Sequence, residues 1–180
     1  MSQGSAGPAT SFNDVPANAW YGDAVSWAVD KGYVSGTGGG NFTPGRNCTE
    51  VEILTFLWRA EGEPKAAAAA PVTVASWAQD AVNWAYEKGM IDETFQSSTL
   101  CTRATTVYYI WLAFGKEQPA AGSSFSDVDK SAGYADAVAW AVEQNIVQGP
   151  EDGTYAPNGI CNRAQIATFL YKAYVPEARA

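Results

Sequence analysis

The sequence predicts an all-α protein in which three helix–loop–helix repeats pack around one shared core. The segment Asp-Ala-Val-x-Trp-Ala occurs three times, beginning at Asp23, Asp80 and Asp136. In each copy apolar residues recur at positions i, i+3 and i+4, which is the spacing of a helix with one buried face. A loop, a Cys and a second apolar segment follow in every copy, so one unit is repeated three times.

The first helix of each repeat has a Trp in its apolar stripe, which predicts that this Trp is buried. The helix is expected to end at a Gly or Asn, because these residues tolerate the left-handed conformation of a helix C-terminus. The Trp residues are Trp27, Trp84 and Trp140, and the end residues are Gly32, Gly89 and Asn145.

The second helix of each repeat is predicted to begin just after the Cys. Thr49 with Glu52, and Asn162 with Gln165, have the spacing of a capping box, in which cap and third residue exchange hydrogen bonds. A single helix pair cannot bury its apolar stripe, so the three repeats are expected to share one core.

The repeats are predicted to span residues 12–61, 72–115 and 125–175, after a flexible segment at 1–11. The middle repeat is shorter, because its interval from Asp to Cys has four residues fewer than the other two. Segments 61–71 and 115–124 are rich in Ala, Pro, Gly and Ser, which is typical of linkers.

The composition excludes several classes of function. The chain has 180 residues, of which 47% are hydrophobic, so it can form a substantial core. It has no His, which excludes His-dependent nucleophilic triads and His-ligated zinc; no cofactor is predicted. Its net charge of −8 argues against nucleic acid as a partner. No apolar run approaches the roughly 20 residues of a membrane span, so no membrane insertion is expected.

The three cysteines, Cys48, Cys101 and Cys161, are predicted to be reduced and buried. Their odd number cannot form a closed set of disulfides. Each precedes a helix cap, where a small apolar side chain packs onto the first turns of its own helix.

A set of shared motifs then identifies a family. Phe-x-Asp-Val opens the first and third repeats at 12–15 and 125–128, and both repeats have a Gly-containing turn that ends in aromatic-x-Pro. Cys-Thr-Arg at 101–103 and Cys-Asn-Arg at 161–163 precede the second helices. Together these motifs, over residues 12–174, resemble S-layer homology repeats.

The resemblance implies a pseudo-threefold module that holds an exported protein on a Gram-positive type of cell surface. Such modules bind cell-wall polysaccharide, often a pyruvylated secondary polymer, in grooves between neighbouring repeats. An Arg, an aromatic residue and an acidic residue near the start of a repeat meet the anionic sugar. The residues that match these roles here are Arg103, Arg163, Asp14, Asp127, Trp20, Trp77 and Tyr134, and Gly149, at the turn of the third repeat, is also expected at the ligand site.

The first repeat departs from the family pattern, because Glu50 stands where the others have Arg. A carboxylate there would repel an anionic ketal, so at most two working grooves are expected. The third repeat is the most intact, and its groove is expected to use Arg163 together with Asp127.

Each candidate residue also has a structural interpretation. Arg103 and Arg163 could form salt bridges with Asp127 or Asp14 instead of binding an anion. Trp20, Trp77 and Tyr134 could pack at the helix start instead of stacking on a sugar ring. The sequence alone leaves both interpretations open.

The sequence predicts a binding protein, not an enzyme. A catalytic site brings different groups to one reacting centre, whereas this chain repeats one set of groups three times. The first hypothesis is a cell-wall anchor located at the bacterial surface. The alternative is a secreted interaction module that binds a protein, for example a host protein, through exposed aromatic residues such as Tyr108 and Trp111.

Overall fold

The structure is a computed structural model that describes residues 11–148 and 151–179. These residues form six α-helices and two short 3-10 helices. The α-helices are α1 (Gly22–Asp30), α2 (Glu50–Ala60), α3 (Gln79–Glu87), α4 (Arg103–Ala113), α5 (Ala135–Glu143) and α6 (Arg163–Tyr174). The 3-10 helices are Ser76–Ala78 and Pro176–Arg179. Within the described ranges the extended backbone forms only isolated bridges, so the all-α prediction is confirmed.

The helices begin and end where local chemistry predicts. Gly32, Gly89 and Asn145 follow the first helices with φ of 75°, 68° and 56°, which confirms the left-handed ends. At the start of α6, Asn162 Oδ1 accepts from the Gln165 N–H at 2.9 Å, and Gln165 Oε1 accepts from the Asn162 N–H at 2.9 Å. This reciprocal pair is the predicted capping box.

The repeats contact one another in a cyclic order. Helix α1 packs against α6, α2 against α3, and α4 against α5. The first helix of each repeat is therefore covered by the second helix of the preceding repeat. The first repeat is covered by the last, which closes the cycle. Trp84 and Trp140 are only 4% and 2% exposed, as predicted, while Trp27 is half-buried. A shared core results; a pseudo-threefold rotation stays a prediction, as do the repeat boundaries.

The three cysteines form a ring of backbone hydrogen bonds where the repeats meet. The N–H of Cys48 donates to Cys161 O at 3.0 Å, that of Cys101 to Cys48 O at 2.8 Å, and that of Cys161 to Cys101 O at 2.9 Å. All three thiols are free and buried, as predicted. Burial raises the pKa of Cys48 to about 12, so its thiol is unreactive at neutral pH.

The first linker contains a run of Ala that favours a helix, but it forms none and is bound to α3 instead. Alanine is the strongest helix former, yet residues 66–70, all Ala, form no helix between Pro64 and Pro71. A five-residue run is too short to repay helix nucleation. Its N–H groups instead bind side chains of α3: Ala67 donates to Glu87 Oε2 at 2.6 Å and Ala70 to Asn83 Oδ1 at 2.9 Å.

Candidate ligand-binding grooves between repeats

The loop of the first repeat is held from two sides by charged side chains. Phe42 is fully buried, and its N–H donates to Asp14 Oδ1 at 2.8 Å, while the N–H of Thr43 donates to Asp14 Oδ2 at 2.7 Å. From the other side, Arg163 Nε donates to Phe42 O at 2.8 Å. The Arg163 guanidinium carbon also lies 4.4 Å from the centre of the Phe42 ring, within the range of a cation–π contact.

The loop of the third repeat is held in the same way by a different pair. Asp127 accepts from the N–H groups of Tyr155 and Ala156 at 2.7 and 2.8 Å. Arg103 Nε donates to Tyr155 O at 2.9 Å, and its guanidinium carbon lies 4.6 Å from the centre of the Tyr155 ring. Each Arg therefore binds the loop of the repeat that follows it in the cyclic order.

The expectation that Arg163 and Asp127 act in one groove is wrong, because Asp127 belongs to the loop that Arg103 binds. The cause lies in the backbone: the Arg163 N–H donates to Arg46 O at 2.9 Å, and the Arg103 N–H to Gly159 O at 2.8 Å. These bonds direct the start of each second helix to the next repeat. The alternative salt bridges to Asp14 or Asp127 are also not formed, since the one ion pair in the described residues joins Arg46 and Glu52.

Glu50 occupies the equivalent position at the third boundary. Its N–H donates to Thr99 O at 2.8 Å, in the shortened loop of the middle repeat, and Tyr109 Oη donates to Glu50 Oε2 at 3.2 Å. Burial raises the pKa of the Glu50 carboxyl, an effect that the Tyr109 hydrogen bond opposes. This boundary presents an acid where the other two present an arginine.

A groove of about 500 Å³, here called the Arg163 groove, lies between Arg163 and α2. Three of the chain's arginines face it, with a single carboxylate, that of Glu52. The exposed indole of Trp77, from the start of the middle repeat, forms one wall. Its lining residues are Ser35, Gly36, Thr37, Arg46, Glu52, Thr55, Phe56, Arg59, Trp77 and Arg163.

The arginines of this groove use some of their N–H donors in hydrogen bonds within the protein. Arg163 is 5% exposed, and its Nη2 donates to Ser35 O at 2.6 Å in addition to the Nε bond to Phe42 O. Arg59 Nη1 donates to Tyr33 O at 3.2 Å. A guanidinium has five N–H donors and keeps its charge, and a carbonyl does not neutralise that charge. Burial lowers the pKa of Arg163, which nevertheless remains cationic at neutral pH.

The aromatic candidates differ in their surroundings. Trp77 is 55% exposed and lines the Arg163 groove, whereas Trp20, which is 68% exposed, packs edge-on against Tyr21 at 5.1 Å. Tyr134 is half-buried and packs against the core. The structure thus brings Arg163 and Trp77 together, while Gly149 lies outside the described residues.

Sequence reasoning missed the groove residues on α2. Glu52, Thr55, Phe56 and Arg59 lie at positions i, i+3, i+4 and i+7, so they share one face of the helix. This spacing was available in the sequence. What it could not supply was that the face opens onto Arg163, which lies more than a hundred residues away along the chain.

The aromatic residues predicted to form an exposed surface for a protein partner are not exposed in the structure. Trp111 is 6% exposed, and its indole N–H donates to Glu117 O, in the second linker, at 2.7 Å. Tyr108 is half-buried and packs against the core. The expectation of an exposed Tyr108–Trp111 hot spot is therefore wrong.

Neither a metal site nor a membrane span is found in the described residues. They contain no group of three or more Cys, Asp or Glu side chains placed to hold a metal ion. None of the helices in the described ranges combines the length and the apolar character needed to cross a bilayer.

Comparison with known proteins agrees with the repeat structure. Residues 11–50 and 124–167 match the S-layer homology domain. An exoglucanase (XynX) of Acetivibrio thermocellus is 23% identical over 173 residues, covering 89% of this chain and 16% of the relative. An amylopullulanase of Thermoanaerobacterium thermosulfurigenes is 24% identical over 173 residues, covering 89% of this chain and 9% of the relative.

A shorter match of higher identity involves an S-layer protein of Bacillus thuringiensis subsp. finitimus, which is 43% identical over 47 residues, or 26% of this chain and 6% of the relative. The chain thus spans only a small part of the length of these relatives. The family match covers the first and third repeats, the two with long loops held by Asp and Arg. These two repeats therefore belong to the S-layer homology domain family.

Proposed function

We propose that this chain is a non-catalytic module that attaches an exported protein to the bacterial cell wall by binding an anionic, pyruvylated wall polysaccharide in the Arg163 groove. The observation that carries the proposal is the convergence of Arg46, Arg59 and Arg163 beside the exposed Trp77. This cationic groove occurs in a chain whose net charge is −8. The S-layer homology family, a family of anchoring modules, supports the same role.

The charge of the groove favours an anion. Glu52 is paired with Arg46 at 2.5 Å, so this pair contributes little net charge. The charges of Arg59 and Arg163 remain, because their described hydrogen bonds go to carbonyl oxygens. A ketal carboxylate would accept N–H donors that these guanidinium groups still have, and such charge-assisted bonds are stronger than neutral ones.

The wall formed by Trp77 suits a sugar ring. A pyranose has an apolar face of C–H groups that can pack on an aromatic ring, while its hydroxyls remain available for polar groups. Thr37 provides an exposed hydroxyl at the same groove. The groove therefore offers separate partners for the acid, the apolar face and the hydroxyls of a charged sugar.

The groove lacks the arrangement needed for glycoside cleavage. That reaction uses two carboxylates about 5–9.5 Å apart on either side of the bond that is cleaved. The one carboxylate that lines the Arg163 groove, Glu52, also accepts from the N–H of Thr49 at 2.9 Å in addition to pairing with Arg46. Binding without catalysis is the function that this chemistry supports.

Calorimetry with the non-peptidoglycan polysaccharide purified from Gram-positive cell walls tests the proposal. We expect Trp77→Ala to weaken binding about tenfold, or about 1.4 kcal/mol. Trp20→Ala is the matched control, since it removes another exposed Trp that lies outside the Arg163 groove. Mild acid treatment that removes the ketal from the polymer should abolish binding; undiminished binding of the treated polymer would contradict an anionic ligand.

A further inference from the structure

The last residue of α3 and the last residue of α5 are glutamates, and each binds the linker that precedes its own repeat. Glu87 Oε2 accepts from the N–H of Ala67, in the first linker, at 2.6 Å. Glu143 Oε2 accepts from the N–H of Ala120, in the second linker, at 2.8 Å. Each bond joins a carboxylate to a backbone N–H and is therefore charge-assisted.

Helix α1 has an acid at the same place, but no described segment is bound to it. Asp30 is the last residue of α1, the position that the two glutamates occupy in α3 and α5. Its side chain is exposed and has no hydrogen-bond partner among the residues that the structure describes. Trp27 is half-buried, whereas Trp84 and Trp140, at the same position of the other first helices, are 4% and 2% exposed. The surface of α1 around Asp30 and Trp27, here called the α1 site, is therefore the most open of the three.

The segment that follows α6 is bound elsewhere. Because α6 precedes α1 in the cyclic order, this segment corresponds in position to a linker. It forms the 3-10 helix Pro176–Arg179. Arg179 donates to Lys172 O and Ala173 O, both at 2.8 Å, and to Gln144 Oε1 at 3.1 Å. These bonds hold it against α6 and the end of α5, so it is not the occupant of the α1 site.

The chain enters the first repeat in the same way as it enters the third. The ring of Phe12 lies 5.5 Å from that of Phe42, and the ring of Phe125 lies 5.5 Å from that of Tyr155. In both repeats the next residue donates its N–H to the carbonyl of a loop glycine, at 2.9 Å in the first repeat and 3.1 Å in the third. The chain ahead of Phe12 and the second linker therefore reach their first helices from equivalent points.

The sequence ahead of Phe12 resembles the second linker. Ala120, whose N–H binds Glu143, lies five residues before Phe125. Gly7 lies five residues before Phe12, so its N–H is the counterpart of that donor. Both segments consist of small uncharged residues: Gly-Pro-Ala-Thr-Ser at 7–11 and Ala-Ala-Gly-Ser-Ser at 120–124.

We propose that residues 6–10 bind the α1 site, where the Asp30 carboxylate accepts from the N–H of Gly7. The α1 site is thus an interaction surface for an uncharged peptide segment, which it recognises through a backbone N–H. All three first helices then carry the segment that precedes their repeat, and the chain ahead of Phe12 is attached to the body of the module. This inference is independent of polysaccharide binding.

Amide hydrogen exchange measured by NMR on the full chain tests the contact directly. We expect the N–H of Gly7 to exchange at least tenfold more slowly than in a free peptide of residues 1–11. Asp30→Ala should remove this protection and leave that of Ala120, the internal control, within twofold. Glu93→Ala is the matched control, because Glu93 is an exposed acid in the loop after α3. Exchange of Gly7 at the free-peptide rate, or protection that survives Asp30→Ala, would overturn the inference.

A pair of proline variants tests the same bond through stability. Gly7→Pro removes the N–H that Asp30 accepts, so we expect the equilibrium constant of unfolding to rise about fivefold in urea denaturation. Ala6→Pro should change it less than twofold, since Pro119 occupies the corresponding position in the second linker. In an Asp30→Ala background, Gly7→Pro should have no further effect. Equal effects of the two proline variants, or additive effects of Gly7→Pro and Asp30→Ala, would overturn the inference.

Discussion

Arg163 and Glu50 are the first residues of equivalent helices, α6 and α2, yet they meet different loops. Arg163 faces the long loop of the first repeat, where Phe42 and Ser35 present carbonyl oxygens to its guanidinium. Glu50 faces the short loop of the middle repeat and accepts a hydrogen bond from Tyr109, a residue of α4. An acid thus replaces the arginine where the long loop is missing.

The comparison shows that the motif Arg has a structural task, which is to hold the loop of the following repeat. In the two boundaries with Arg, the guanidinium binds the carbonyl of a buried aromatic residue, Phe42 or Tyr155, in the following repeat. Glu50 and the shortened loop of the middle repeat lie at one boundary. The two departures from the other repeats are therefore in contact, although the sequence places them in different repeats.

The largest expected effect is on stability. Arg163→Ala removes two charge-assisted hydrogen bonds and leaves the carbonyls of Phe42 and Ser35 unpaired, so it should lower the free energy of unfolding by about 3 kcal/mol. Glu50→Ala should cost less, because it removes one bond to a Tyr hydroxyl. Urea denaturation of both variants measures the difference, and equal losses would contradict the structural task of the Arg.

A smaller loss is expected for Asp14→Asn. An Asn side chain has one acceptor oxygen, so it can satisfy the N–H of Phe42 or of Thr43 but not both, at a cost of about 1 kcal/mol. Asp127→Asn, at the equivalent loop of the third repeat, should cost about the same. A negligible loss in both variants by urea denaturation would show that these carboxylates do not hold the loops.

The pH dependence of Asp14 has a definite sign. Desolvation raises the pKa of its carboxyl. The N–H groups of Phe42 and Thr43 and the charge of Arg163 together lower this pKa by more, so the net shift is downward. The stabilisation is therefore complete above the unfolded pKa, about 3.9, and is lost as pH falls through the folded pKa. Asp14→Asn should flatten the acid limb of a stability curve measured by urea denaturation.

Glu50 should show the opposite dependence. Burial raises the pKa of its carboxyl, so the folded protein binds a proton more tightly than the unfolded chain does. The ionised carboxylate therefore reduces stability as pH rises through the folded pKa, and the penalty is absent below the unfolded pKa. Glu50→Gln should raise the denaturation midpoint at pH 7 but not at pH 3. A lowered midpoint at pH 7 would contradict this assignment.

The smallest effect is expected from restoring the motif Arg. Glu50→Arg should leave the affinity for wall polysaccharide within twofold, because the short loop still lacks the buried aromatic residue that the other arginines bind. Calorimetry on this variant, with Trp77→Ala as the control that weakens binding, measures the effect. A clear gain in affinity would show that Glu50 alone, and not the loop, disables the third boundary.

Local features of this protein could be predicted from sequence because they depend on neighbouring residues. The helix ends at Gly32, Gly89 and Asn145, the cap at Asn162 and the burial of Trp84 and Trp140 all follow from short-range spacing. The partner of each Arg could not be predicted in this way. It depends on the cyclic order of the repeats, in which Arg163 reaches Phe42 across 121 residues.

The same dependence on the order of the repeats explains why the prediction that Asp127 shares a groove with Arg163 is wrong. In the sequence Asp127 and Arg163 belong to one repeat, so proximity along the chain favoured a shared groove. In the structure each groove is assembled across a repeat boundary, and the α2 face with Thr55 and Arg59 belongs to the Arg163 groove. The groove chemistry was present in the sequence, but the combination of its parts is a property of the tertiary structure.

The contact between α1 and α6 has a consequence for the order of folding during synthesis. The apolar stripe of α1 is covered by α6, the last of the six α-helices to leave the ribosome. Until then the first repeat has no partner for its Trp27 stripe, and Phe42 lacks the Arg163 that binds its carbonyl. Contacts of such high sequence separation slow folding. During synthesis the apolar stripe of α1 therefore stays uncovered until the third repeat has been made.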